Sequence, residues 1–225
     1  MKIKDLTDFE PEDINKLLGR VPFFKELQRE DAGQLALLME FSCIVELESG
    51  EVIMRRGDRG SWLYFLIKGN LSVYLHSAEQ EAPLNHITPG ELFGDLALLC
   101  DHERKATVAA DKGAKGAVLF ATDFKPFGDI YQFDTVSLYT KLVFYRTMVH
   151  SIRWRLEQKR MVAGCGTLSQ ELRAVKSFVG EKGSAEELQS LFEQAQLLAS
   201  ILDRWNSEGA DIEDVVVVAE SNSSC

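Results

Sequence analysis

No stretch of these 225 residues approaches the roughly 18 to 20 consecutive apolar side chains that a membrane-spanning helix needs. The opening MKIKDLTDFEPED has no apolar core of the kind that marks a secretory leader. Cysteine is scarce. Cys43, Cys100, Cys165 and Cys225 form no CxxC pair and stand with no His-x-x-x-His, so the usual zinc spacings are missing. HExxH, P-loop and GxGxxG strings are absent, and no Ser-His-Asp pattern or pair of catalytic carboxylates stands out. His76, His86, His102 and His150 are scattered and read as structural or solvated groups. Basic charge is missing from the C-terminal third. From Met161 onward four basic residues face eleven acidic ones, which gives −7 of the net charge of −10. An acidic surface repels phosphate backbones, which argues against direct DNA binding. Together these absences predict a non-enzymatic cytoplasmic protein with free thiols, no metal and no membrane partner.

What is present is an ordinary globular composition, 45% hydrophobic and 27% charged, with enough chain to bury a core without staples. Asp8 or Glu10 opens a short helix through Leu17 and Leu18, with Pro11 at a tolerated early position and Gly19 as a stop. VPFFKEL follows, and then REDAGQLALLMEF, where Leu35, Leu38 and Met39 recur at helical spacing. From Phe41 the period changes. Short apolar runs and alternations such as Leu71, Val73 and Leu75 are punctuated by Gly50, Gly57, Gly60 and Gly69, as in a β sandwich or barrel. The pattern continues through LNHITPGEL, ATVAA and GAVLFAT.

From about Ile130 the spacing is helical again. Leu138, Leu142, Tyr145, Val149, Ile152 and Leu156 follow at intervals of four and three, an a/d seam flanked by Arg146, Arg153 and Arg155. Such a stripe packs either on the β domain or on its copy in a second subunit, and the near-strict heptad favours a homodimer. After Met161, Thr167 and Gln170 are placed as a capping box before a stripe of Leu172, Val175 and Val179. Ser184 and Glu187 repeat the box ahead of a face formed by Leu188, Leu191, Phe192, Ala195, Leu198, Ile201, Leu202 and Trp205. IEDVVVVAE has the composition of a strand, and SNSSC reads as frayed.

The segment PGELFGDLALLCDHERKATVAA, residues 89–110, carries the chemistry. Gly94 leads into a short helical turn whose free N–H groups favour an anion. Nine residues beyond Asp95 lies Arg104, a planar guanidinium able to grip a phosphate with two hydrogen bonds. The Asp95 carboxylate suits a ribose hydroxyl, which donates to it. A glycine turn, a carboxylate and an arginine make a phosphoester pocket.

These residues resemble the phosphate-binding cassette of cyclic-nucleotide-binding domains, as in the catabolite activator protein and the regulatory subunits of protein kinase A. That family shows Phe-Gly-Glu-Leu-Ala-Leu, then an arginine, then Ala-Thr-Val or similar. Here the chain reads FGDLALL, then Arg104, Ala106, Thr107 and Val108. Upstream, Gly50, Gly57, Asp58, Tyr64, Phe65, Ile67 and Gly69 fall on the family's typical β-roll positions, and the likeness covers roughly residues 20–160. The resemblance implies an α+β fold: an antiparallel, jelly-roll-like β-roll with flanking helices, a long dimerisation helix and a helical tail. The implied boundaries are 1–40 for N-terminal helices, 41–128 for the β-roll, 129–162 for the long helix and 163–225 for the acidic tail.

It also implies a ligand, cAMP before cGMP, and a site of Phe93, Gly94, Asp95, Leu96, Ala97, Arg104, Lys105 and Ala106. In that site Arg104 would pair with the cyclic phosphate, backbone amides around Ala97 and Ala106 would help hold it, Gly94 would allow close approach, and Asp95 would take the ribose 2′-hydroxyl. Two residues depart from the pattern. Asp95 is a methylene shorter than the usual glutamate, and Lys105 follows the arginine where small or hydroxyl residues are common. Purine contacts would come from the start of the long helix, where Thr135, Ser137, Tyr139 and Thr140 lie. The implied function is cyclic-nucleotide signalling through an unidentified protein partner. The alternatives are a ligand-free β-roll scaffold and, further off, a transcription regulator of the catabolite-activator class.

Overall fold

The computed structural model describes residues 1–6, 9–75, 82–163 and 166–221. Two antiparallel sheets form its centre. The larger runs in the order β1 (Lys2–Asp5), β2 (Ser42–Leu47), β9 (Ala117–Asp123), β4 (Trp62–Lys68) and β7 (Leu92–Phe93). The smaller runs β3 (Val52–Met54), β8 (Thr107–Ala110), β5 (Leu71–Tyr74) and β6 (Asn85–Ile87).

The near-continuous apolar run of β4 follows from where it lies. Leu63, Phe65 and Ile67 face the helices, while Tyr64 and Leu66 face the second sheet. β9 divides the same way, Phe120 on the helical side and Leu119 and Ala121 between the sheets. A strand covered on both faces has no solvated side on which to place polar residues. The register sets Phe65 opposite Phe120 and Leu66 opposite Leu119.

The helices are α1 (Pro11–Leu18), α2 (Pro22–Glu30), α3 (Ala32–Met39), α4 (Asp95–Leu99), α5 (Lys125–Gly128), α6 (Leu138–Ala163), α7 (Gly166–Ala174) and α8 (Ala185–Ser221). Aromatic rings join them to the large sheet. Phe23 stacks on Phe65 at 5.7 Å, Phe24 meets Phe120 edge-on at 4.7 Å, and Phe127 stacks on Phe144 at 4.1 Å. Such pairs contribute about 0.5–1.5 kcal/mol beyond their area burial. The loop into α6 is held by α6 itself. Lys141, 1% exposed, donates to the carbonyls of Asp129 and Gln132, and Tyr145 Oη donates to Phe127 O at 3.0 Å.

Four expectations are corrected. Residues 2–5 form an edge strand on β2 ahead of the first helix, with Lys4 Nζ 2.7 Å from Glu46. Four residues are too short for a periodicity to show, and lysines on an edge strand discourage further pairing. The long helix starts at Leu138 rather than near residue 129, because Ser137 Oγ accepts from the Thr140 N–H and caps it there. Val179 is 95% exposed, since α7 ends at Ala174 and the helical period with it. IEDVVVVAE, residues 212–220, continues α8 instead of forming a strand. The last four residues of the expected frayed end lie outside the described residues.

The heptad seam is also reassigned. Leu142, Tyr145, Ile152 and Leu156 are at most 1% exposed, and Leu138 and Val149 pack against the same core. The partner that covers them is α8, whose Leu188, Ala195, Leu198 and Leu202 are buried in that cluster. The regularity expected to pair two subunits pairs two helices of one chain. The α8 start forms as its residues dictate: Ser184 Oγ accepts from the Glu187 N–H at 3.1 Å, and Glu187 accepts from the Gly183 N–H at 2.6 Å. Glu187 also accepts from Nε and one terminal nitrogen of Arg146 at 2.8–3.0 Å, which ties α8 to α6.

Replacing Phe65 by Ala removes the ring on which Phe23 and Phe24 converge. The expected loss is about 3–5 kcal/mol in urea unfolding, whereas Trp62→Ala, 39% exposed at the strand's edge, falls well below that range.

Candidate functional site

β7 ends at Phe93, whose ring stacks on Tyr64 at 5.1 Å, and the chain turns at Gly94 into α4. Gly94 takes φ +86°, in the left-handed region that a side chain adopts with strain. A Cβ there would stand 3.0 Å from an Arg104 guanidinium nitrogen and 3.3 Å from Trp62 O. The turn therefore needs a glycine for its backbone angle and again for the space that Arg104 occupies.

Arg104 is 4% exposed. One terminal nitrogen donates to Gly94 O, and the other donates to Trp62 O at 2.7 Å and Gly60 O at 3.3 Å. Its backbone is fixed by the β3–β4 loop: the Arg104 N–H donates to Asp58 O and the Gly57 N–H to Arg104 O, both at 2.8 Å. Burial pushes the guanidinium pKa down, opposed by the fields of Tyr64, Asp95 and Asp58. Among the described residues the acceptors of its terminal nitrogens are neutral carbonyls. Both terminal nitrogens are hydrogen-bonded, yet among the described residues no carboxylate forms an ion pair with the cation, and a charged acceptor binds a guanidinium about twice as strongly as a neutral one.

Asp95 is 1% exposed, and its carboxylate accepts from Arg155 of α6. A buried carboxylate without such a partner carries a desolvation cost of several kcal/mol. Ala97 is buried, Leu96 and Ala106 are half-buried, and Lys105 is exposed. The Lys105 ammonium is in water and does not fill the space beside Gly94. α4 ends at Cys100, and the His102 N–H donates to Ala97 O at 3.0 Å. Burial, with smaller contributions from Asp203 and Asp95, pushes the Cys100 thiol up to about 11.

The structure thus brings Gly94 and Arg104 into contact and leaves Lys105 outside. Three of the four residues expected to meet a purine bond elsewhere in the chain. Ser137 and Thr140 bond each other at 3.1 Å, Gln34 of α3 accepts from the Ser137 N–H, and Tyr139 Oη donates to Glu26 of α2. The α6 residue that reaches the cassette is Arg155, nearly five turns into the helix. Sequence reasoning placed it beside the seam, and its partner, sixty residues away, gave no signal. Among the described residues no group of three or more His, Cys, Asp or Glu side chains is placed to hold a metal ion, and no helix is long and apolar enough to cross a membrane.

Residues 44–129 match the family model of the cyclic nucleotide-binding domain. The cAMP-dependent protein kinase type II regulatory subunit of Drosophila melanogaster is 32% identical over 98 residues, 44% of this chain and 25% of that protein. The cyclic AMP receptor protein of Thermus thermophilus is 36% identical over 76 residues, 33% of this chain and 35% of that protein. Among solved structures, the sensor domain of the transcriptional regulator DNR from Pseudomonas aeruginosa aligns over 65% of this chain and 93% of its own, at 23% identity and a TM-score of 0.47. This protein is similar to the cyclic nucleotide-binding domain family through residues 44–129, less than half of its length. Its relatives include kinase regulatory subunits and cyclic AMP receptor proteins, and the chain spans about a quarter to a third of their lengths.

Removing either Asp95 or Arg155 strands the other. Asp95→Asn and Arg155→Met should each cost about 3–5 kcal/mol in denaturant unfolding, and the double variant less than the sum. An additive double variant would mean that the pair is not coupled.

Proposed function

We propose that this protein is a cyclic-nucleotide-responsive regulatory module, with cAMP as first ligand and cGMP as second, that acts through contacts with another protein. The observation that carries the reading is Arg104. It is a buried guanidinium held beside Gly94 in a segment matched by the cyclic nucleotide-binding model, with neutral carbonyl oxygens as its acceptors among the described residues. A cyclic phosphate offers it a charge-assisted pair in place of a carbonyl. In this reading Arg104 takes the cyclic phosphate, the backbone amides near Ala97 and Ala106 add donors, and Phe93, Leu96 and Lys105 border the site. Asp95 takes the ribose 2′-hydroxyl once it exchanges Arg155 for the sugar.

The residues outside 44–129 supply the response. α6 carries Arg155 and is packed against α8, so a ligand that recruits Asp95 changes the contacts of both helices. The free thiols of Cys43 and Cys100 suit a cytoplasmic setting. The residue pattern offers no catalytic set, and the reading assigns no reaction to the chain.

A second reading, a ligand-free interaction scaffold, is favoured by one feature: Arg104 and Asp95 are both satisfied within the chain. Calorimetric titration with cAMP and cGMP separates the two readings. The expected result is micromolar or tighter binding that Arg104→Ala weakens by roughly a hundredfold, about 3 kcal/mol, in protein with an unchanged circular dichroism spectrum. No heat from either nucleotide in folded, ligand-free protein would favour the scaffold.

A further inference from the structure

The groups of the cassette that would meet a ligand are held inward by one packed assembly. Arg155, which occupies Asp95, projects from α6. α8 lies along α6 and also packs on α4, the helix that follows Gly94. Just beyond the end of α4, His102 Nε2 stands 3.4 Å from Asp203 Oδ2 of α8, with both side chains about one-fifth exposed. One residue further along α8, Arg204 and Trp205 bond the two carboxylate oxygens of Glu171 on α7, at 2.6 and 3.0 Å. α4 itself is five residues long and bounded by left-handed backbone at Gly94 (φ +86°) and Asp101 (φ +50°). Its position is set by what rests on it more than by its own hydrogen bonds.

We propose that α8 is an autoinhibitory latch on the cassette: docked on α4 beside His102 and Asp203, it holds Asp95 and Arg104 in their self-satisfied arrangement, and a cyclic nucleotide must loosen it to bind. The inference rests on the nucleotide-binding reading of the cassette. It assigns the acidic C-terminal helix a role that the matched segment, residues 44–129, does not contain. The coupling is reciprocal by linkage. Whatever free energy the ligand spends in loosening α8 is the free energy by which loosening α8 tightens the ligand, and such couplings are typically roughly 5- to 150-fold. α8 need not leave α6. Its first turn stays fastened through Ser184 and the Arg146–Glu187 fork, far along the helix from Asp203.

Cys100 reports on the latch. It is half-buried, and burial and the nearby Asp203 carboxylate keep it a slow-reacting thiol at pH 8. When α8 lifts, both effects weaken and the thiol reacts faster.

The experiment uses the full chain with Cys43→Ser, Cys165→Ser and Cys225→Ser, so that Cys100 is the sole thiol. Its labelling by a soluble aromatic disulfide is timed at pH 8, with and without cAMP or cGMP, beside calorimetry. Asp203→Ala and His102→Ala are expected to speed labelling about tenfold without nucleotide and to tighten cAMP binding at least about fivefold. Saturating cAMP is expected to speed labelling in the protein that keeps Asp203, and Arg104→Ala to abolish that acceleration. If cAMP binds in an Arg104-dependent way but Asp203→Ala binds it no more tightly, or if cAMP slows Cys100 labelling, the latch is wrong and the sensor reading stands. If neither nucleotide binds the parent or the Asp203→Ala protein, both fall together.

Discussion

A carboxylate that is 1% exposed has to be answered by a cation, and the answer to Asp95 comes from Arg155, sixty residues further along the chain. That requirement fixes much else. It sets the height and rotation of α6 against the cassette, since Arg155 reaches Asp95 from one face of the helix only. With α6 placed, Lys141 and Tyr145 meet the carbonyls of the loop that leaves the β-roll, and Arg146 turns to Glu187 on α8. α8 then has one apolar bed to lie in. The buried ion pair contributes little net stability of its own, because desolvation offsets most of the Coulomb attraction. Its effect is to make one placement of the helix acceptable and others costly.

The same economy appears at Arg104. A buried guanidinium could have been matched with an acid. Here it is surrounded by the carbonyls of Gly60, Trp62 and Gly94, while the carboxylates of Asp58 and Asp95 act on it through their fields. The site is hydrogen-bonded and electrically incomplete at once, the condition in which an incoming anion gains most.

The sheets were legible in the sequence because their burial leaves marks. A strand covered on both faces reads as WLYFLIK, and the turns between strands need glycine. Gly94 and Arg104 were legible for a similar reason, since each is the one residue type that suits its place. What stayed hidden was long-range choice. The seam from Leu138 to Leu156 announces a helical partner without saying whose helix it is, and the face from Leu188 to Trp205 announces the same need. Nothing local says that the two satisfy each other. IEDVVVVAE is β-branched enough to read as a strand, yet it prolongs a helix, the kind of local preference that context overrides. Arg155 looked like one of three arginines beside a stripe, and only the fold shows which of them turns inward.

That the stripe of α6 is occupied by a helix of its own chain has a consequence for anything that would compete for it. A tethered segment meets its bed at an effective concentration in the millimolar range or above, set by the short connection rather than by how much protein is present. A second copy, or a foreign helix of equal quality, starts from its bulk concentration, which is far lower. Raising the amount of this protein therefore does little to open the surface. Partner choice at α6 is weighted by the tether toward α8.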